Sequence, residues 1–82
     1  MMLTIEISMY PFHEDYKRPI LGFIEKLNTY ASLRVQTSAT STLIVGEHEH
    51  VMRTMTELLA WSHAQFGKAV YVMKFIPGFE PD

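Results

Sequence analysis

"STLIVGEHEHVM", Ser41 to Met52, decides the fold of this chain. If it is one extended strand, His48 and His50 share a side and His-Glu-His becomes a metal site. If a strand passes into a helix near Gly46, the two imidazoles go to nearly opposite faces, because two positions span about 200° of a helix. The residues beyond favour the helix: Val51, Met52, Met55, Leu58, Leu59, Ser62 and Phe66 form a stripe that Gly67 closes. Glu47 and Glu49 also suit the positive dipole end of a helix. The stretch is therefore a short strand running into a helix, with the histidines in a solvated first turn and no metal site expected.

The flanks supply the other elements. "LTIEISMY" alternates, with Leu3, Ile5, Ile7 and Met9 on one side and Thr4, Glu6, Ser8 and Tyr10 on the other, which is a half-buried strand. After Pro11 and the polar "HEDYKR", Ile20, Phe23, Ile24, Leu27 and Tyr30 follow helical spacing, so a first helix is expected over Tyr16 to Tyr30. "LRVQTSAT" alternates again and precedes "STLIV" closely, which predicts an antiparallel hairpin turning near Ala39 to Ser41. "KAVYVMKFI" is a last strand, apolar on both faces except at Lys74, and "PGFEPD" is a tail broken by prolines. The order is β-α-β-β-α-β, the split βαβ or ferredoxin-like pattern. It is an α+β sandwich with two helices on one face of a four-stranded antiparallel sheet.

A chain of 82 residues holds one core, so a single domain over residues 1–82 is expected. A chain this short gains stability from self-association. It has no cysteine, so disulfides, thiol nucleophiles and thiolate metal sites are excluded. "MMLTIEISMY" lacks a basic leader with a long apolar run, and no segment approaches the roughly 18 apolar residues of a membrane span, so a cytoplasmic protein is expected, with no membrane partner. A formal charge of −2 provides no attraction for polyanions. The strands "LTIEISM" and "STLIVG" also lack the aromatic residues on which RNA-binding versions of this fold stack bases. Nucleic acid is therefore not an expected partner.

Catalytic patterns are sparse. His13 stands beside Glu14 and Asp15, where an acidic loop can supply a general base but usually serves only as a loop. His63, near Trp61, has no acid or nucleophile at a useful spacing. No Ser-His-Asp order, phosphate-binding glycine loop or carboxylate pair is present, so no catalytic residue is expected. Met52 and Met55 belong to the helical core stripe rather than to a sulfur-ligand device.

The sheet face without helices collects the polar set: Glu6, Ser8 and Tyr10, then Arg34, Gln36 and Ser38, then Thr42 and Lys74. Such a surface suits a polar heteroaromatic molecule. Glu6 accepts from a ring nitrogen or exocyclic amine, Ser8, Ser38 and Thr42 supply hydroxyls, and Tyr10 or Tyr71 offers a stacking ring. A solvated or subunit-covered face is the alternative, and periodicity leaves both open.

From "TIEISMYP" through "TSATSTLIVGEHEHVM" to "GKAVYVMKFI", nearly the whole chain resembles the YkoF-like thiamine-binding proteins. The most specific likeness is Thr42 followed by Gly46-Glu47 and then Val51-Met52, with Pro11 after the first strand. The resemblance implies a ferredoxin-like fold, dimers or tetramers assembled through sheets, and binding of thiamine or its hydroxymethylpyrimidine portion without catalysis or a cofactor. On that reading Glu6, Ser8, Tyr10, Ser38 and Thr42 bind the ligand at the open face or a subunit boundary. Two other uses fit the same fold: a module that only assembles through its sheet, and a cofactor-free oxygenase or isomerase of the dimeric α+β barrel kind with His13 as base.

Overall fold

The computed structural model describes Met1 to Asp82. Its elements are β1 (Met2–Pro11), α1 (Lys17–Leu27), β2 (Arg34–Thr37), β3 (Thr42–Glu47), α2 (His48–Phe66) and β4 (Ala69–Pro77), in the expected order. The strands form one antiparallel sheet in the order β2-β3-β1-β4. Alternation along β1 turns Leu3, Ile5 and Ile7 toward the helices, where they pack with Ile44, with Phe23 and Leu27 of α1, and with Val51, Met55 and Leu58 of α2. No helix is long and apolar enough to cross a membrane.

Both helices have local causes. Pro19 sits within the first turn of α1, where its missing N–H leaves no bond unmade. The helix ends at Leu27, short of Tyr30, because the chain tightens: Thr29 and Tyr30 donate to the carbonyls of Lys26 and Leu27, three residues back. α2 begins at His48, settling the reading of His-Glu-His as a helix start. Glu47 is its N-cap, and its carboxylate accepts from the N–H groups of Glu49 at 3.2 Å and His50 at 3.3 Å. At the other end Gly67 takes φ 79°, which glycine adopts without strain, and donates to the His63 carbonyl at 2.9 Å.

The register assigns the faces. Thr42, Ile44 and Gly46 lie opposite Ile7, Ile5 and Leu3 and so share the helix-covered side, while Leu43 and Val45 face away. On β4, Tyr71 and Met73 lie opposite Met9 and Ile7 on the covered side; Val70, Val72, Lys74 and Ile76 are on the open side. Two sequence expectations are corrected here. Thr42 is not on the open face but buried at 5% exposure. Tyr71 is not available there for stacking, since its ring packs 5.4 Å from that of Phe23 and its hydroxyl meets Ser62 Oγ at 2.6 Å. "TLIVG" and "VYVMKFI" are apolar on successive residues, so neither has an alternation from which the phase can be read.

The tail is also more ordered than its prolines suggest. Gly78 N–H donates to the Met2 carbonyl at 2.8 Å, Thr4 Oγ1 donates to the Phe79 carbonyl at 2.6 Å, and the Arg34 guanidinium donates to the Pro81 carbonyl. Thr4, Val45 and Arg34 form one row across β1, β3 and β2, so the tail crosses the open face along that row. This explains why Thr4 and Val45 are buried although they face away from the helices. The other end of the face, around Ser8, Tyr10, Val70 and Val72, is left uncovered.

Two predictions follow from these contacts. Deleting Phe79–Asp82 removes the acceptor of Thr4 Oγ1 and uncovers Val45, so the truncated chain is expected to lose about 1–3 kcal/mol, read as a lower urea midpoint. The Glu47 carboxyl is held below its ordinary pKa, first by the Glu49 N–H, then by the His50 N–H and nearby positive charge, against some desolvation. Its contribution to stability is therefore present above the ordinary glutamate value of roughly 4.3 and is lost as pH falls through the depressed folded value. Urea midpoints measured from pH 6 downward should fall more steeply for the native chain than for Glu47→Gln.

Candidate functional site

β1 outruns β3. It pairs with β4 as far as Pro11 but with β3 only as far as Ile7, because β3 begins at Thr42. Beside the last residues of β1 the sheet therefore lacks a neighbour, and a half-open cavity of about 530 Å³ lies there. α1 contributes an apolar wall of Ile20, Phe23 and Ile24. The hairpin turn and its flanks contribute hydroxyls from Thr37, Ser38, Thr40, Ser41 and Thr42, and Tyr16 and His13 stand at the loop side. An apolar body with a few convergent polar groups is the usual character of a small-molecule site. Here the hydroxyls both donate and accept, and the lining includes no lysine, arginine or carboxylate.

Local bonds hold the hydroxyl wall in place. Ser38 N–H donates to the Ser41 carbonyl at 2.9 Å, and Ser38 Oγ reaches the same carbonyl at 3.1 Å, closing the four-residue turn. Ser8 Oγ donates to the Thr40 carbonyl at 3.0 Å, and Ser41 Oγ to Glu6 Oε2 at 3.3 Å, fastening the turn to β1. The loop after β1 is tied down by Phe12 N–H to the Lys68 carbonyl at 3.1 Å and by His13 Nε2 to the Phe66 carbonyl at 2.6 Å. His13 thus holds the C-terminal end of α2 against the cavity's rim, where an N–H donor satisfies a free helix carbonyl.

Of the five residues singled out in the sequence, Ser8, Tyr10, Ser38 and Thr42 line this one cavity. Glu6 does not. Its carboxylate lies on the open face between Lys74 Nζ at 3.4 Å from Oε1 and Ser41 Oγ at 3.3 Å from Oε2, so each oxygen already has one partner in the chain. An exposed pair of this kind contributes little to stability. Sequence reasoning missed α1's part in the site, and it missed Thr37, Thr40 and Ser41. The five hydroxyls within "TSATST" were the available signal, although nothing in them indicates that α1 is their partner. His50 is occupied elsewhere, with Nε2 on the Ala31 carbonyl at 2.7 Å. No three His, Asp or Glu side chains converge on a point.

No family model and no curated protein matches the chain. Solved structures do. A Thermotoga maritima protein provisionally named for thiamine biosynthesis or salvage superposes with a TM-score of 0.83 at 22% identity, over 92% of this chain and 82% of its own. A Streptococcus pneumoniae protein gives 0.86 at 20% identity, over 96% and 89%. A domain of unknown function from Bacillus cereus gives 0.74 at 15%, over 93% and 75%. The resemblance in sequence to the YkoF-like proteins and these likenesses in structure agree on one architecture, the ferredoxin-like α+β fold.

Proposed function

We propose that this chain binds thiamine or its hydroxymethylpyrimidine portion, without catalysis and without a cofactor, in the cavity between β1, α1 and the β2–β3 turn. The observation that carries this reading is the pairing of an apolar α1 wall with a fixed row of hydroxyls, at the place where four of the five sequence candidates meet. The name of the Thermotoga maritima neighbour supports the choice of ligand. A pyrimidine presents apolar faces to Ile20 and Ile24 and polar ring edges to the hydroxyls. The reading moves the ligand from the open sheet face to the covered side, because Thr42 turns that way. His13 lines the cavity, and its Nε2–H donates to the Phe66 carbonyl, which fixes the ring at the rim.

Assembly is the second part of the proposal. Tyr10, Val70 and Val72, at the uncovered end of the open side, are 47–57% exposed. A neighbouring group of apolar side chains left in water is suited to burial against another copy of the same sheet.

Two measurements test these statements. A ligand at roughly 100 times its Kd adds about 2.7 kcal/mol of stability, which raises the Tm of a chain this size by about 11–22 °C; hydroxymethylpyrimidine or thiamine should do so and release or absorb heat on titration. Thr42→Val should weaken that binding about 5- to 10-fold, and an absence of heat and of any Tm shift at millimolar ligand would refute the site. For assembly, light scattering on a sizing column should give a dimer or tetramer that Val72→Asp reduces to monomers; a monomeric native chain would end that part of the proposal.

A further inference from the structure

β1 uses its two edges in alternation, as an antiparallel strand between two partners must. The Met1 carbonyl accepts from His48 N–H at 2.8 Å, on the β3 side, and the Met2 carbonyl accepts from Gly78 N–H at 2.8 Å, on the β4 side. The phase persists to the far end, where Phe12 N–H donates to the Lys68 carbonyl. Odd-numbered residues of β1 therefore direct their main-chain groups toward β3, and even-numbered ones toward β4. Leu3, Ile5 and Ile7 meet Gly46, Ile44 and Thr42.

Met9 is the next odd position. The same register would oppose it with Thr40, but Thr40 is in the turn, and its carbonyl is taken by Ser8 Oγ. No main-chain bond joins Met9 to the turn, and no side chain bonds its N–H or C=O. Met9 lines the cavity and is only partly buried. Pro11, the following odd residue, has no N–H to offer. The sheet thus presents one main-chain donor and one acceptor, the N–H and C=O of Met9, to the cavity, at the position of one missing residue of β3. A whole strand cannot add there, because the ladder stops at Pro11 on one side and is already filled by Thr42 on the other.

We propose that the N–H and C=O of Met9 are the recognition edge of the cavity, taking a planar heteroaromatic molecule that carries an amine beside a ring nitrogen. The amine donates to the Met9 carbonyl and the ring nitrogen accepts from the Met9 N–H, so the ligand replaces the missing residue of β3. The apolar wall of α1 then covers the ring, and Thr42 or Ser38 meets a further polar substituent. This rests on the cavity being the ligand site. It adds that selection is made by the main chain, with side-chain hydroxyls in support.

Hydrogen exchange and NMR test the idea on the full chain. In the free protein the Met9 amide should exchange at least about 10-fold faster than those of Ile7 and Ser8, which lie in formed ladders. With 4-amino-5-hydroxymethyl-2-methylpyrimidine it should shift and slow by about 10-fold, and the analogue lacking the 4-amino group should bind about 10-fold more weakly, the value of one hydrogen bond in a sheltered site. Protection of the Met9 amide in the free protein equal to that of Ile7 overturns the proposal. If the pyrimidine moves the methyl signals of Ile20, Ile24 and Thr42 while Met9 exchange stays unchanged, the cavity reading survives and the main-chain edge is refuted. If neither methyls nor amide respond, both are refuted.

Discussion

The pairing of Ile7 with Thr42 governs the rest of the molecule. β1 is the only strand with two neighbours that also supplies three fully buried core side chains, and its register with β3 decides which residues of β3 face the helices. A slip by one residue would send Ile44 into solvent and put Leu43 and Val45 beneath α2. Burial of Ile5, Ile44, Val51 and Leu58 at essentially zero exposure makes that slip costly. With the register fixed, β3 begins where it does, and the end of β1 is left without a partner on one side.

That unequal length creates the cavity. A sheet whose strands all ended together would close its rim with turns, and the main-chain groups of Met9 would be bonded. Here the β2–β3 turn instead curls beside β1, held by Ser8, Ser38 and Ser41, and leaves a space between itself and α1. The hydroxyls that shape the turn also line the space. A short polar segment thus acts as both scaffold and lining, and a flexible loop could not hold such groups at fixed positions.

The open face is divided in two. At one end the tail runs over the row Thr4, Val45 and Arg34, satisfying polar groups and excluding water from Val45. At the other end a small apolar field surrounds the Glu6–Lys74 pair. Coverage by the chain itself confines any contact with a second copy to the uncovered end. The cavity lies at that same end of β1, and Tyr10 belongs both to its lining and to the exposed apolar field.

Element order and fold class were legible in the sequence because alternation along "LTIEISM", helical spacing from Ile20 and from Val51, and the breaks at Pro11 and Gly67 are local properties of the chain. The helix start at His48 was legible for the same reason, since a capping glutamate and an amphipathic stripe lie within a few residues of each other. Four of the residues that line the cavity, Ser8, Tyr10, Ser38 and Thr42, were singled out by type, as hydroxyl and aromatic groups of the sheet. The facing of Thr42 and Tyr71, the tail's path, the role of α1 in the cavity and the unpaired state of Met9 were not legible. Each depends on which residue of a distant strand stands opposite, and segments that are apolar on both faces carry no periodic mark of that choice. Only pairing and packing of the complete chain select the register.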